Sequence, residues 1–102
     1  MDEDGSYCPY FHHTIEMSGR RWTGAALLAM SAGCSNYSEI RDAIPGISDR
    51  LLSERLKELE NEGIVERCVA GRSTTYVLTA KGQGLQPVLD AVTDYAHDWA
   101  EA

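Results

Sequence analysis

One stretch of this chain separates its apolar and polar residues cleanly by helical spacing. Drawn at about 100° per residue, Leu51, Leu52, Leu56 and Leu59 fall on one broad arc. Arg50, Ser53, Glu54, Lys57 and Asn61 fall within about 60° of the opposite direction. The ends of this helix are written into the sequence as well. Ser48 is a good N-cap, and Ile47 and Leu52 take the N′ and N4 positions of a hydrophobic staple around it. Asp49 suits the positive end of the helix dipole. Gly63 stops the helix at about Glu62.

The same reading places elements on either side. Cys8-Pro9 opens a short helix that runs to about Ser18, because proline favours the first helical position. Gly19 separates it from a second helix, roughly Arg21 to Ala32, ended by Gly33. Ser38 is read as the cap of a third helix, Glu39 to Ile44, which Pro45-Gly46 terminates. Ile64 to Val69 and Thr74 to Leu78 are β-rich, and Ala70-Gly71-Arg72-Ser73 between them signals a hairpin. Thr79 caps a final helix along which Leu85, Val88, Leu89, Val92, Ala96 and Trp99 recur. Pro87 either kinks that helix or marks a second start. The order predicts a mainly α fold with a small β-hairpin wing, a winged helix-turn-helix. Residues 1–7 are expected to be a disordered acidic tail and residues 8–102 a single domain with dimerisation helices at both ends.

Composition narrows the function classes. A chain of 102 residues is one domain by length. Its longest apolar run, Ala25 to Met30, is too short to span a bilayer. No signal-peptide pattern opens the chain, so a cytoplasmic location and no membrane partner are expected. Cys8, Cys34 and Cys68 are an odd number, which argues against a disulfide framework. Together with His12 and His13 they are possible metal ligands, but their spacing fits no common zinc pattern. Neither metal nor cofactor is expected. No nucleophile–base pair, glycine-rich phosphate loop or carboxylate pair marks an enzyme.

The net charge of −7 stands against nucleic-acid binding on bulk electrostatics. Even between Ser38 and Lys81 seven basic residues face eight acidic ones. Any DNA contact must therefore rest on locally clustered cations. The polar face of the fourth helix supplies the first candidates: Arg50 and Lys57 suit guanine edges or phosphates, and Ser53 suits either. Ser48 at the helix start, Arg41 on the preceding helix and Arg72 at the hairpin tip complete the set. Arg55 lies among the leucines on the wheel, so its stem is expected to pack and its guanidinium to pair locally. The expected activity is sequence-specific binding to a palindromic duplex operator by a homodimer joined through its first and last helices, with repression as the outcome. A winged helix that binds only protein, for which the acidity argues, is the first alternative. A metal-responsive regulator is the second.

Several segments in order make this reading more specific. Cys8-Pro9, Gly19-Arg20-Arg21-Trp22, Tyr37-Ser38-Glu39-Ile40-Arg41, Ile44-Pro45-Gly46-Ile47-Ser48, Leu52, Arg55-Leu56, Leu59, Gly63-Ile64-Val65-Glu66-Arg67 and Tyr76-Val77-Leu78-Thr79 together resemble the HxlR family of bacterial regulators. The likeness covers about residues 8 to 99. It implies dimers whose terminal helices pack together, with the fourth helix in the major groove. Two departures stand out: a wing that looks short and lacks a proline-rich tip, and an unusually acidic chain. Part of this family carries a sensing thiol at the position of Cys8, which implies an oxidant or small electrophile as effector. The physics points the same way, since a helix N-terminus favours a thiolate. A half-buried cysteine without a regulatory role is the other reading. Cys34 and Cys68 read as small core or strand residues.

Overall fold

A computed structural model describes residues 7–100 of the chain. The element order is α1 (Pro9–Ser18), α2 (Thr23–Ser31), α3 (Tyr37–Asp42), α4 (Asp49–Asn61), β1 (Val65–Ala70), β2 (Ser73–Leu78), α5 (Ala80–Gln83) and α6 (Gln86–Trp99). This is the expected helical body with a two-stranded wing. Most of the expected tail lies outside the described residues. Tyr7, assigned to it, is described, and its ring centroid lies 5.5 Å from that of His12.

The core gathers around α2. Leu27 and Ala26 are fully buried there, and Ile40 from α3, Leu52, Leu56 and Leu59 from α4, and Ile64 and Val65 at the start of the wing close over them. The leucine arc of α4 is therefore the face that holds this helix on the body. Burying side chains of this size contributes about 1.5–3 kcal/mol each. The terminal helices differ: neither α1 nor α6 contains a buried residue. Among the described residues no helix is long and apolar enough to cross a membrane.

The structure corrects several expected boundaries. The cap of α3 is Asn36, not Ser38. Its side chain accepts the Glu39 N–H at 2.9 Å, and Glu39 reaches back to the Asn36 N–H at 3.2 Å, a capping box that starts the helix two residues early. The second helix begins at Thr23 rather than Arg21, because Trp22 takes a left-handed backbone conformation at φ 73°. Arg21 stacks its guanidinium 5.4 Å from the centre of that indole ring. The final helix is two helices. Thr79 caps α5 by accepting the Gly82 N–H at 3.1 Å, and Pro87 marks the second start, α6.

The hairpin reaches one pair further toward its tip than expected, and its first strand starts at Val65 rather than Ile64, so the ladder runs from Val65↔Leu78 to Ala70↔Ser73. Only Gly71 and Arg72 remain in the turn. Gly71 sits at φ 61°, as the first position of a tight hairpin turn requires, and this sets Arg72 at the tip. The wing is pinned from both sides. Tyr76 N–H donates to the Ser35 carbonyl at 2.7 Å, and Asn36 bridges Thr75. Gly82 packs so closely on the Ile64 carbonyl that an added Cβ would lie 2.2 Å from that oxygen.

Candidate nucleic-acid interface

The turn between α3 and α4 fixes the attitude of α4. Ile44 is buried, and Ser48 caps α4 by accepting the Leu51 N–H at 3.1 Å. Ser48 was a candidate contact. One lone pair of its oxygen is committed to the cap, which leaves the hydroxyl proton and the second lone pair to offer a ligand. With Leu52, Leu56 and Leu59 buried, the opposite side of α4 presents Arg50, Ser53, Lys57 and Asn61 to solvent. The Arg50 side chain is 90% exposed. The structure thus brings Arg50, Ser53 and Lys57 onto one stripe, at i, i+3 and i+7.

Around that stripe the cations divide into two sets. Arg41 lies 3.4 Å from Asp49 and 3.7 Å from Asp42. Arg50 lies 3.3 Å from Glu54. Tyr37 closes the same corner, donating to the Asp49 carbonyl at 2.9 Å, with Ser53 Oγ 3.3 Å from its hydroxyl. These are exposed pairs, and such pairs contribute little to stability and are readily exchanged for a phosphate. Among the described residues, Lys57, Arg67 and Arg72 form no ion pair within 4.0 Å. Lys57 and Arg67 line one hollow between α4 and the wing, with Ser53, Glu60, Asn61 and Tyr76.

Arg67 was missed from the sequence. Strand alternation from the buried Val65 puts Arg67 on the face of β1 that looks toward α4, opposite Tyr76. Carrying that two-residue period through the wing would have found it. Arg55 is not part of the outward stripe. Its side chain is 12% exposed, its Nε–H donates to the Arg21 carbonyl at 2.8 Å, and its Nη1 lies 2.9 Å from Glu58. Packing and local pairing hold it as its place on the wheel suggested.

Cys8 lies apart from this surface, as the extended N-cap residue of α1, with Pro9 at the first helical position. It is half-buried. Its carbonyl accepts the His12 N–H at 2.9 Å, and the His12 ring pairs with Glu16 one turn on. Cys34 is also half-buried and packs against the core, as read from the sequence. Cys68 is a strand residue but an exposed one. Among the described residues no three or more His, Cys, Asp and Glu side chains gather as metal ligands. One carboxylate near the interface is perturbed. The backbone N–H groups of Ser35 and Asn36 hold Glu39 below the ordinary carboxylate range.

Known proteins place these features in a family. A family model described as HxlR-like helix-turn-helix matches residues 17–102. An uncharacterised HTH-type transcriptional regulator, YvaP of Bacillus subtilis strain 168, is 38% identical over 97 residues, covering 92% of this chain and 90% of its own. The reduced form of the transcriptional regulator YodB from B. subtilis superposes with a TM-score of 0.82 at 37% identity, covering 93% of this chain and 96% of that one. YodB has also been solved diamide-treated and quinone-bound. The redox regulator HypR in its oxidised form gives a TM-score of 0.81 at 31% identity, covering 89% of this chain and 96% of that one. These matches span both the helix-turn-helix and the wing, so the chain belongs to the HxlR-like helix-turn-helix family and is a DNA-binding transcriptional regulator, not an enzyme.

Proposed function

We propose that this regulator acts as a homodimer on a two-fold-symmetric duplex, with thiol chemistry at Cys8 setting its affinity and repression as the outcome. One α4 enters each of two major grooves about 10 base pairs apart. The observation that carries this is the stripe of Arg50, Ser53 and Lys57, uncovered by the rest of the chain on a helix whose other face is core. Arg50 and Lys57 read guanine edges or bind phosphates, and Ser53 accepts or donates. Arg41 and Arg72 flank the stripe as phosphate contacts, one through α3 and one at the wing tip. Ser48 offers its hydroxyl proton at the helix start. The dimer forms through α1 and α6, whose Phe11, Ile15, Val92 and Trp99 are exposed large apolar residues.

Cys8 is the reading's sensing residue. Its support is its place at the N-cap of α1, inside the surface proposed to join two copies. A further support is the likeness to YodB, solved with diamide and with a quinone, and to a redox regulator solved oxidised. An adduct there rotates one subunit against the other and moves one reading helix off its half-site.

A gel-shift series on a duplex selected by the wild type from a random pool tests both parts. Arg50→Ala should weaken specific binding by about 1–3 kcal/mol, with the fold intact by circular dichroism. Cys8→Ser should bind normally yet ignore diamide. Unchanged affinity in Arg50→Ala removes α4 as the reading helix. Wild-type binding indifferent to diamide removes the sensing role alone.

A further inference from the structure

The C-terminal end of α4 is where the reading helix meets α1 and the short α5 that precedes α6. Arg55, Glu58 and Glu62 form a second stripe on α4, at i, i+3 and i+7. Each reaches back toward the N-terminal segment. Arg55 donates to the Arg21 carbonyl at 2.8 Å, Glu58 lies 3.4 Å from Arg20, and Glu62 lies 2.9 Å from the Nε2 of His13 on α1. A carboxylate only accepts, so His13 donates in this contact. The backbone of Glu62 makes a second link. Its carbonyl accepts the Lys81 ammonium at 2.7 Å, and Lys81 belongs to α5, which leads directly into α6. One residue at the C-cap of α4 thus holds α1 by its side chain and α5 by its backbone.

We propose that Glu62, with His13 and Lys81 as its partners, is a positioning residue that fixes the reading helix to the dimer helices and so sets the distance between the two α4 helices of a dimer. This rests on the dimeric reading above. It adds a route by which a change at α1 reaches α4. Neither α1 nor α6 has a fully buried side chain, and Met17 and Leu89 pack only partly buried against the core, so these polar contacts add to what sets the angle between the two helices and α4. Exposed pairs are individually weak. A positioning role therefore differs from a stabilising one in what it moves. Loosening the junction should leave each half-site contact intact and blur the preference for half-site spacing.

The test uses the full chain, the wild-type-selected duplex, the same duplex with its half-sites moved by one base pair, a shift of about 3.4 Å, and an isolated half-site. Wild type should lose about tenfold or more on the altered spacing. The double variant His13→Ala/Lys81→Met should match wild type on the isolated half-site within about twofold, and discriminate spacing by less than about threefold. His13→Gln, which keeps a donor in reach of Glu62, should restore most of the discrimination. If the double variant keeps the wild-type discrimination, the proposal falls and the dimeric reading stands. If it loses half-site affinity together with melting temperature, the contacts are merely structural and the proposal also falls. A wild type indifferent to spacing overturns the dimeric reading, and this junction with it.

Discussion

Helices α4 and α6 are both amphipathic, yet the fold treats them in opposite ways. In α4 the apolar side is spent inside the chain, with Leu52, Leu56 and Leu59 at most 1% exposed. In α6 the apolar side stays open: Val92, Tyr95 and Trp99 are each more than 60% exposed, and nothing along the helix is buried. The difference separates two kinds of surface. A helix whose greasy face is satisfied offers a polar face to a polar ligand. A helix whose greasy face is unsatisfied offers it to another apolar surface, and in the proposed dimer a second copy supplies the symmetric one.

The comparison is broken most severely from the α4 side. Leu56→Ala should cost about 2–5 kcal/mol of stability, since it leaves a cavity among close-packed neighbours. The equivalent truncation on α6, Val92→Ala, should leave the stability of a dilute monomer nearly unchanged, and chemical denaturation at low concentration checks both. A large loss from Val92→Ala would show that α6 is already covered within the chain. Next in size is Val92→Glu, which places a charge in the proposed contact between copies. It should weaken the dimer by roughly 3 kcal/mol, about a hundredfold, as read by sedimentation, without changing helix content. A dimer of unaltered strength would move the contact elsewhere.

Within α4 itself, Arg55→Ala sharpens the distinction between its faces. The guanidinium is nearly enclosed and holds both the Arg21 carbonyl and Glu58. Its loss should cost about 1–2 kcal/mol of stability. Duplex binding by the folded fraction should be much less affected than in Arg50→Ala. The smallest effect belongs to Glu39. Its folded carboxyl sits below its ordinary value of 4.5 because backbone N–H groups bind the charged form. The stability it adds is complete above that ordinary value and is lost as pH falls through the lower, folded one. Glu39→Gln should therefore melt slightly earlier than wild type at neutral pH, and the gap should close on acidification through the carboxylate range. A gap constant with pH would assign it to packing instead.

How far the sequence is legible depends on the range of the interaction behind each feature. The fourth helix is nearly complete in the sequence, because its cap, staple, apolar period and glycine stop all lie within a few residues of one another. The cap of α3 was misplaced because two capping residues, Asn36 and Ser38, stand near one another. The reciprocal bond from Glu39 selects the earlier one. The split between α5 and α6 was left open at Pro87, and packing decides it, since Gly82 seats α5 against Ile64 before the chain turns into α6.

By itself, then, the sequence determined the element order, the polar stripe of Arg50, Ser53 and Lys57, and the thiol at the head of α1, all products of local spacing. Only the tertiary structure decided which cations are already paired, that Arg67 shares a hollow with Lys57, and that Glu62 ties α4 to His13 and Lys81. The contacts of Arg67 and Glu62 join residues 10 to 49 positions apart. Local spacing holds no information about such distances, because they are fixed by how the apolar faces of α2, α4 and the wing close on a shared core.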